Sequence, residues 1–186
     1  GRTFASCSSL TSVALPNSIT TIGFQAFYCC ESMTSFTIPN SVTSIGNEAF
    51  NYCTALTSLT ISHNLTSIGD KTFANCSSLT SVIIPNSVTI IGMNAFEGCS
   101  GLTSVDISNS ATNIDNYAFS GCSGLTSIII PNSVTRLGDD AFKGCSSLSS
   151  VTLPNNLTSI GWYAFKDCSG LTSVSIGNGV TQISST

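Results

Sequence analysis

The sequence predicts a mainly β solenoid of eight 23-residue repeats, and three observations carry that prediction. Phenylalanine recurs at Phe4, Phe27, Phe50, Phe73, Phe96, Phe119, Phe142 and Phe165 without one change of spacing. A cysteine follows three residues later in every repeat, from Cys7 to Cys168. Six residues after the cysteine begins a short apolar stretch, Ile128-Ile129-Ile130 in the sixth repeat, closed by Pro131. Self-similarity at a fixed period of roughly 20–50 residues marks a stacked-repeat architecture. Each unit then touches only its neighbours, and stability accumulates along the stack. The 186 residues are accordingly read as one solenoid domain, 1–186.

Within a repeat, Leu125, Ile128 and Ile130 face inward while Ser127 and Ile129 alternate outward, as a strand requires. Pro131 ends the strand because it has no N–H to donate. Pro16, Pro39, Pro85 and Pro154 do the same; Ser62, Ser108 and Gly177 stand there in the other repeats. Asn132-Ser133 turns the chain, and Val134 and Leu137 point in again through a shorter second strand around Thr135–Leu137. The next position is Gly23, Gly46, Gly69, Gly92, Gly138 and Gly161, with Asp115 as the interior departure. Gly replaced by Asp predicts a left-handed backbone there. Asp139 to Gly144 is too short and glycine-rich for an α-helix and reads as a turn or 3-10 piece, with Ala141 and Phe142 packed inward. One parallel sheet is expected, its strands centred near Val13, Phe36, Leu59, Val82, Val105, Ile128, Val151 and Val174, with right-handed connections.

Stacking at about 4.8 Å turns every inward column into a ladder. Phenylalanines give offset-stacked rings, and Leu10, Met33, Leu56 and their successors to Leu171 fill the other side. Threonine holds one position in all eight repeats, Thr20 to Thr181, and its hydroxyls are expected to satisfy turn backbone groups.

Only 8% of residues are charged, and the formal charge is −4 with a pI near 4.5. Arg2, Lys71, Arg136, Lys143 and Lys166 form no basic stripe, which argues against nucleic acid. No apolar run reaches the roughly 18 residues of a membrane helix. The chain opens and stops in mid-repeat and is read as an excerpt of a longer array. Solenoid ends need polar caps, so apolar end coils around Phe4, Leu10 and Ile183 are expected, with end-to-end self-association as their consequence.

The pattern Ala-Phe-x-x-Cys-x-x-Leu-x-x-Val/Ile-x-Ile-Pro-Asn-x-Val-Thr-x-Ile-Gly, as in Ala141 to Gly161, resembles the BspA-like leucine-rich repeats. The resemblance covers essentially the whole chain. It implies a leucine-rich-repeat superhelix displayed at the cell surface or secreted, engaged in adhesion to extracellular proteins or other microbes. It transfers no catalytic residue, because the shared positions are structural.

The chemistry-bearing residues have plain structural readings. The in-register cysteines read as a reduced, buried ladder, since zinc would want Cys-x-x-Cys spacing and free Cys packs as a small hydrophobe. Cys29, where other repeats carry Tyr52, Asn75 or Asp167, is expected to be exposed. His63, the sole histidine, reads as a substitution in the Asn column. Asp70 and Asp139-Asp140 read as solvent-facing turn acids. Asn64, Asn75 and Asn156 begin Asn-x-Ser/Thr triplets that matter only in a eukaryote. No catalytic, cofactor or metal residue is assigned.

The function predicted is a non-catalytic binding or adhesion module recognising an extracellular protein or glycan through variable repeat positions. A structural stalk is the alternative; an ice-binding solenoid is disfavoured because the outward strand columns are not paired threonines. Two variable patches are the candidate contacts. Trp162 and Tyr163, supported by Tyr117, lie in the turn after the glycine column, where large aromatics cannot enter a core already filled by phenylalanine, and Trp and Tyr are enriched at binding hot spots. Ile83, Asp106 and Ile129 occupy consecutive rungs of the outer strand face, beside an all-Ser column.

Overall fold

In the computed structural model, which describes residues 1–181 and 183, the chain winds into a parallel β solenoid, and no helix occurs among the described residues. In order come β1 (Thr21–Ile22), β2 (Ser35–Thr37), β3 (Ser44–Ile45), β4 (Ser58–Thr60), β5 (Ser67–Ile68), β6 (Ser81–Ile83) and β7 (Ile90–Ile91). They are followed by β8 (Ser104–Asp106), β9 (Asn113–Ile114), β10 (Ser127–Ile129), β11 (Arg136–Leu137), β12 (Ser150–Thr152), β13 (Ser159–Ile160) and β14 (Ser173–Ser175). Even-numbered strands form one side of the coil and odd-numbered strands another, pairing one repeat on as in Ile128↔Val151 and Leu137↔Ile160, except between β3 and β5, β4 and β6, and β8 and β10. The segment from Asp139 to Gly144 is a run of turns.

Seven of the expected strand centres, Phe36 to Val174, fall at the middle of a strand, whereas Val13 lies outside any strand. The expected single sheet is interrupted. Ladder pairing holds within β2–β4, β6–β8 and β10–β12–β14 but not between β4 and β6 or between β8 and β10. Both interruptions follow a repeat in which serine replaces the strand-closing proline. Ser62 is fully buried and donates its hydroxyl to the Val42 carbonyl at 2.7 Å, tying that turn back to the preceding coil.

The core is a set of columns. Rings from Phe4 to Phe165 stack with centroids 5.2–5.5 Å apart and planes 2–19° off parallel. Phe36 adds an edge contact to Phe50 at 4.7 Å. Cys30 to Cys145 are buried and every cysteine is free, as a thiol ladder requires. Each thiol from Cys30 to Cys168 donates to the carbonyl of the Phe one repeat back, as Cys99 does to Phe73 at 3.1 Å. Burial pushes the Cys30 thiol up to about 11 and the Cys99 thiol up to about 12. The threonines bond along the stack, not within their own turns. Thr135 sends both its N–H (3.0 Å) and its hydroxyl (3.3 Å) to the Thr112 carbonyl. A second hydroxyl ladder runs through Thr57, Thr103, Thr126 and Thr172.

One backbone expectation is corrected. The column from Gly23 to Gly161 is not left-handed. It needs glycine because the neighbouring coil passes too close for a Cβ: one on Gly92 would sit 2.8 Å from the Ile68 carbonyl oxygen. The left-handed residues form two other columns. One runs Arg2, Gln25, Glu48, Lys71, Asn94, Tyr117, Asp140, Tyr163; the other holds Ser6, Cys29, Tyr52, Asn75 and Asp167, with Gly98, Gly121 and Gly144. These residues tighten the turn so that alternate N–H groups reach the next coil, as Phe119 N–H reaches the Ala141 carbonyl at 2.8 Å.

Candidate functional site

The turn after the odd-numbered strands is organised by a row of Asn and Asp side chains whose Oδ1 atoms each accept a backbone N–H one repeat later. Asn47 accepts from Asp70 (3.1 Å), Asp70 from Met93 (3.1 Å), Asn116 from Asp139 (2.9 Å) and Asp139 from Trp162 (2.7 Å). Met93 has no such oxygen. In its place Asp115, the lone acid in the glycine column, accepts from the Asn116 N–H at 2.9 Å.

This row fixes the backbone of Trp162, a residue that remains 65% exposed. Tyr163 beside it is 46% exposed in a left-handed conformation (φ 57°), and the Lys166 ammonium sits 4.9 Å from its ring centroid. Tyr117, two rungs away in the same left-handed column, is 37% exposed. The structure thus places the three predicted aromatics on one side of the coil, with Asp140 on the rung between the two tyrosines. Asp140 is buried, contrary to the solvent-facing expectation. Its left-handed backbone (φ 53°) turns the carboxylate back under the coil, where it pairs with Lys143 at 3.3 Å. The Asp140 carboxylate near the Tyr117 phenol raises that group's pKa. Asp70 is exposed and Asp139 half-buried.

The second candidate patch lies on the even-numbered strands. Ile83 and Asp106 are register partners, Ile129 is one rung further, and the two isoleucines are the most exposed apolar residues of that face at 68% and 80%. Depressions lie at one edge of the strip and within it, where the ladder is broken. One of about 210 Å³ lies between β4 and β6, lined by Ile61, His63, Ile83 and Pro85. Another of about 430 Å³ lies between β8 and β10, lined by Asp106, Ile107, Ile129 and Pro131. The strip belongs to a different side of the coil from the aromatic turn.

Other singled-out residues have structural roles. His63 is exposed, and its backbone N–H donates to Asn40 Oδ1 at 3.0 Å, the bond that Asn178 makes to Asn155. Cys29 is half-buried instead of exposed, because its left-handed backbone folds it against the coil. The side-chain amides of Asn64, Asn75 and Asn156 donate to Asn40, Asn51 and Asn132 of the preceding repeat. Among the described residues no three His, Cys, Asp or Glu side chains converge to hold a metal, and no helix is long and apolar enough to cross a membrane. Sequence reasoning places Asn116 and Asp139 in the same variable turn column as Trp162 but misses that their side-chain oxygens hold the backbone of the next rung. The available signal was the 23-residue spacing that links Asn116 to Asp139 and Asp139 to Trp162.

A stack of parallel-strand coils with uniform interior columns and variable exposed rungs defines a repeat scaffold of the kind generally used for protein binding. The chain belongs to the BspA type leucine rich repeat family, whose model matches in six copies over residues 1–101 and 66–186. It is similar to a leucine-rich repeat protein from Bacteroides ovatus ATCC 8483, at 36% identity and TM-score 0.88, covering 94% of this chain and 45% of that one. A leucine rich cell surface protein from Faecalibacterium prausnitzii A2-165 matches at 30% identity and TM-score 0.68, covering 97% and 59%. The T. pallidum leucine rich repeat protein matches at 29% and TM-score 0.59, covering 88% and 65%. The chain therefore spans about half to two thirds of the length of these relatives. No curated protein matches the sequence.

Proposed function

We propose that the chain is a non-catalytic binding module of an extracellular or cell-surface protein, engaging a protein or glycan ligand through exposed side chains on a rigid coil. The observation that carries this reading is the pair Trp162 and Tyr163, large aromatics held out in solvent on a turn whose backbone is pinned by Asp139. The fold does not need them there, since its interior is already filled by the Phe ladder. Exposed aromatics on a fixed backbone supply contact area at low entropic cost. The description of the Faecalibacterium relative as a cell surface protein supports the location. Ile83, Asp106 and Ile129 form a second contact strip, supported by the depressions beside them.

The test is an array of extracellular-matrix proteins and glycans probed with the chain and with the Trp162→Ser/Tyr163→Ser double variant. The variant should melt within a few degrees of the parent and lose attachment to whatever the parent binds. Undiminished attachment, with the sheet-face variant Ile83→Ser/Ile129→Ser equally unaffected, would remove both contact surfaces.

A further inference from the structure

The aromatic turn has a more specific chemistry than exposure alone, and the following inference rests on its being a contact surface. Asn116, Asp139 and Trp162 occupy three successive rungs of one column, each linked to the next by a side-chain oxygen on a backbone N–H. In both links only Oδ1 is used. That leaves Asp139 Oδ2 as an acceptor and Asn116 Nδ2 as a donor, neither engaged by another described residue. They stand on adjacent rungs, about 5 Å apart by the strand spacing, one and two rungs before the exposed Trp162.

We infer that this row binds a neutral saccharide: the Trp162 ring receives the C–H face of a pyranose, and Asp139 and Asn116 read two neighbouring hydroxyls. The ring's negative face suits polarised C–H bonds. A hydroxyl both donates and accepts, so a vicinal pair satisfies a carboxylate oxygen and an amide N–H together.

The charges around the turn select a neutral ligand. Lys143 is taken up by Asp140 at 3.3 Å, and Lys166 lies over the Tyr163 ring at 4.9 Å. The remaining carboxylates, Asp139 and Asp115, repel sulfate and uronate groups. A cationic ligand would find the acceptor but leave the Asn116 amide donor facing a positive charge. The tyrosines at 117 and 163 border the row from the adjoining column and extend it to more than one sugar ring.

Trp162 is the only tryptophan in the chain, so its fluorescence reports this site alone. The probes are neutral oligosaccharides (cellotetraose, mannotetraose and N-acetylchitotetraose), with a heparin tetrasaccharide and sialyllactose as anionic controls. At least one neutral probe should shift the emission and shield it from iodide, saturating at about 1 mM, the range that one aromatic platform and two hydrogen bonds support. Asp139→Asn keeps Oδ1 for the Trp162 N–H, as Asn116 does for Asp139, and replaces the free acceptor by a donor. It should melt like the parent and bind about tenfold more weakly. Trp162→Tyr should retain part of the affinity, followed by saccharide NMR in place of tryptophan emission.

The inference is overturned if no neutral probe perturbs Trp162 at about 10 mM, if only the anionic controls do, or if Asp139→Asn binds unchanged. The binding-module reading is judged separately. Should the array identify a protein ligand lost in Trp162→Ser while all saccharides are inert, that reading stands and the saccharide assignment falls.

Discussion

Asp115 Oδ1 accepts the Asn116 N–H at 2.9 Å, supplying the bond that Met93, one repeat earlier, has no oxygen to make. In the flanking repeats that N–H is served from the coil before, by Asp70 for Met93 and by Asn116 for Asp139. The one interior departure from the glycine column therefore compensates a departure in the next column. Removing the oxygen by Asp115→Gly should cost about 1 kcal/mol, the net worth of a partly buried hydrogen bond. In a Met93→Asn background the same change should cost much less, because the introduced amide oxygen would accept in its place. Denaturant melts of the four proteins give the coupling energy; additive losses would show that the two positions are independent.

Tyrosine in a left-handed conformation is costly, by roughly 1–2 kcal/mol. Tyr163 and Tyr117 both bear that cost, in a column that already contains Asn94 and Asp140, which tolerate it. Tyr163→Asn should therefore stabilise the solenoid by about 0.5–1 kcal/mol while reducing ligand attachment. A gain in stability with loss of binding is the trade expected of a functional site. A loss in stability would mean that the tyrosine ring supports the coil, through Lys166 or otherwise.

Much of the fold was legible because the 23-residue period is unbroken: Phe119, Cys122, Leu125 and Ile128 are in register with their counterparts and all are buried. The left-handed positions were not legible. Residue type betrays positive φ when it is glycine, but the two columns concerned hold Lys71, Glu48, Cys29 and Tyr52 as well, and only the neighbouring coil's hydrogen bonds force the conformation. The glycines of the regular column serve close packing instead. Asp140 escapes a sequence reading for the same reason: paired acids on a turn look solvated until the backbone turns one of them under the coil toward Lys143. For the aromatic site, the exposed rings followed from the filled core, whereas the Asn116–Asp139 donor and acceptor became visible only once hydrogen bonds showed which oxygens were spent.

The thiol ladder predicts alkaline lability. The ordinary thiol pKa is 9.0, and burial raises Cys99 to about 12. A group raised in the folded state contributes its stability below the unfolded pKa and loses it as pH climbs toward the folded one. Between pH 9 and 12 the unfolded chain releases protons that the folded chain keeps, so stability should fall by about 1.4 kcal/mol per pH unit for such a thiol. Melts from pH 7 to 11 should show a plateau and then a decline, and a Cys99→Ala variant a shallower decline. A pH-independent Tm over this range would contradict the burial of the column. Native alkylation at neutral pH should label exposed Cys7 first and spare Cys53 to Cys145.

The interrupted sheet makes a residue-level prediction. The N–H groups of Ile38 and Ile84 donate to the Thr60 and Asp106 carbonyls of the following repeat, both at 2.9 Å. Ile61 and Ile107 hold the same position in the repeats closed by Ser62 and Ser108, yet their N–H groups find no backbone acceptor in the next coil among the described residues. A backbone donor without such a partner opens at lower free energy than one in a ladder. Amide exchange followed by NMR should therefore be about tenfold faster at Ile61 and Ile107 than at Ile38 and Ile84, although all four side chains are buried to a similar degree. Ser62→Pro supplies the strand-closing residue found elsewhere and removes the hydroxyl tie to Val42. If that tie draws the turn away from the next repeat, exchange at Ile61 should slow in this variant while exchange at Ile107 stays fast. Equal exchange at all four amides would instead show that the β4–β6 and β8–β10 boundaries are as firmly bonded as the rest of the sheet.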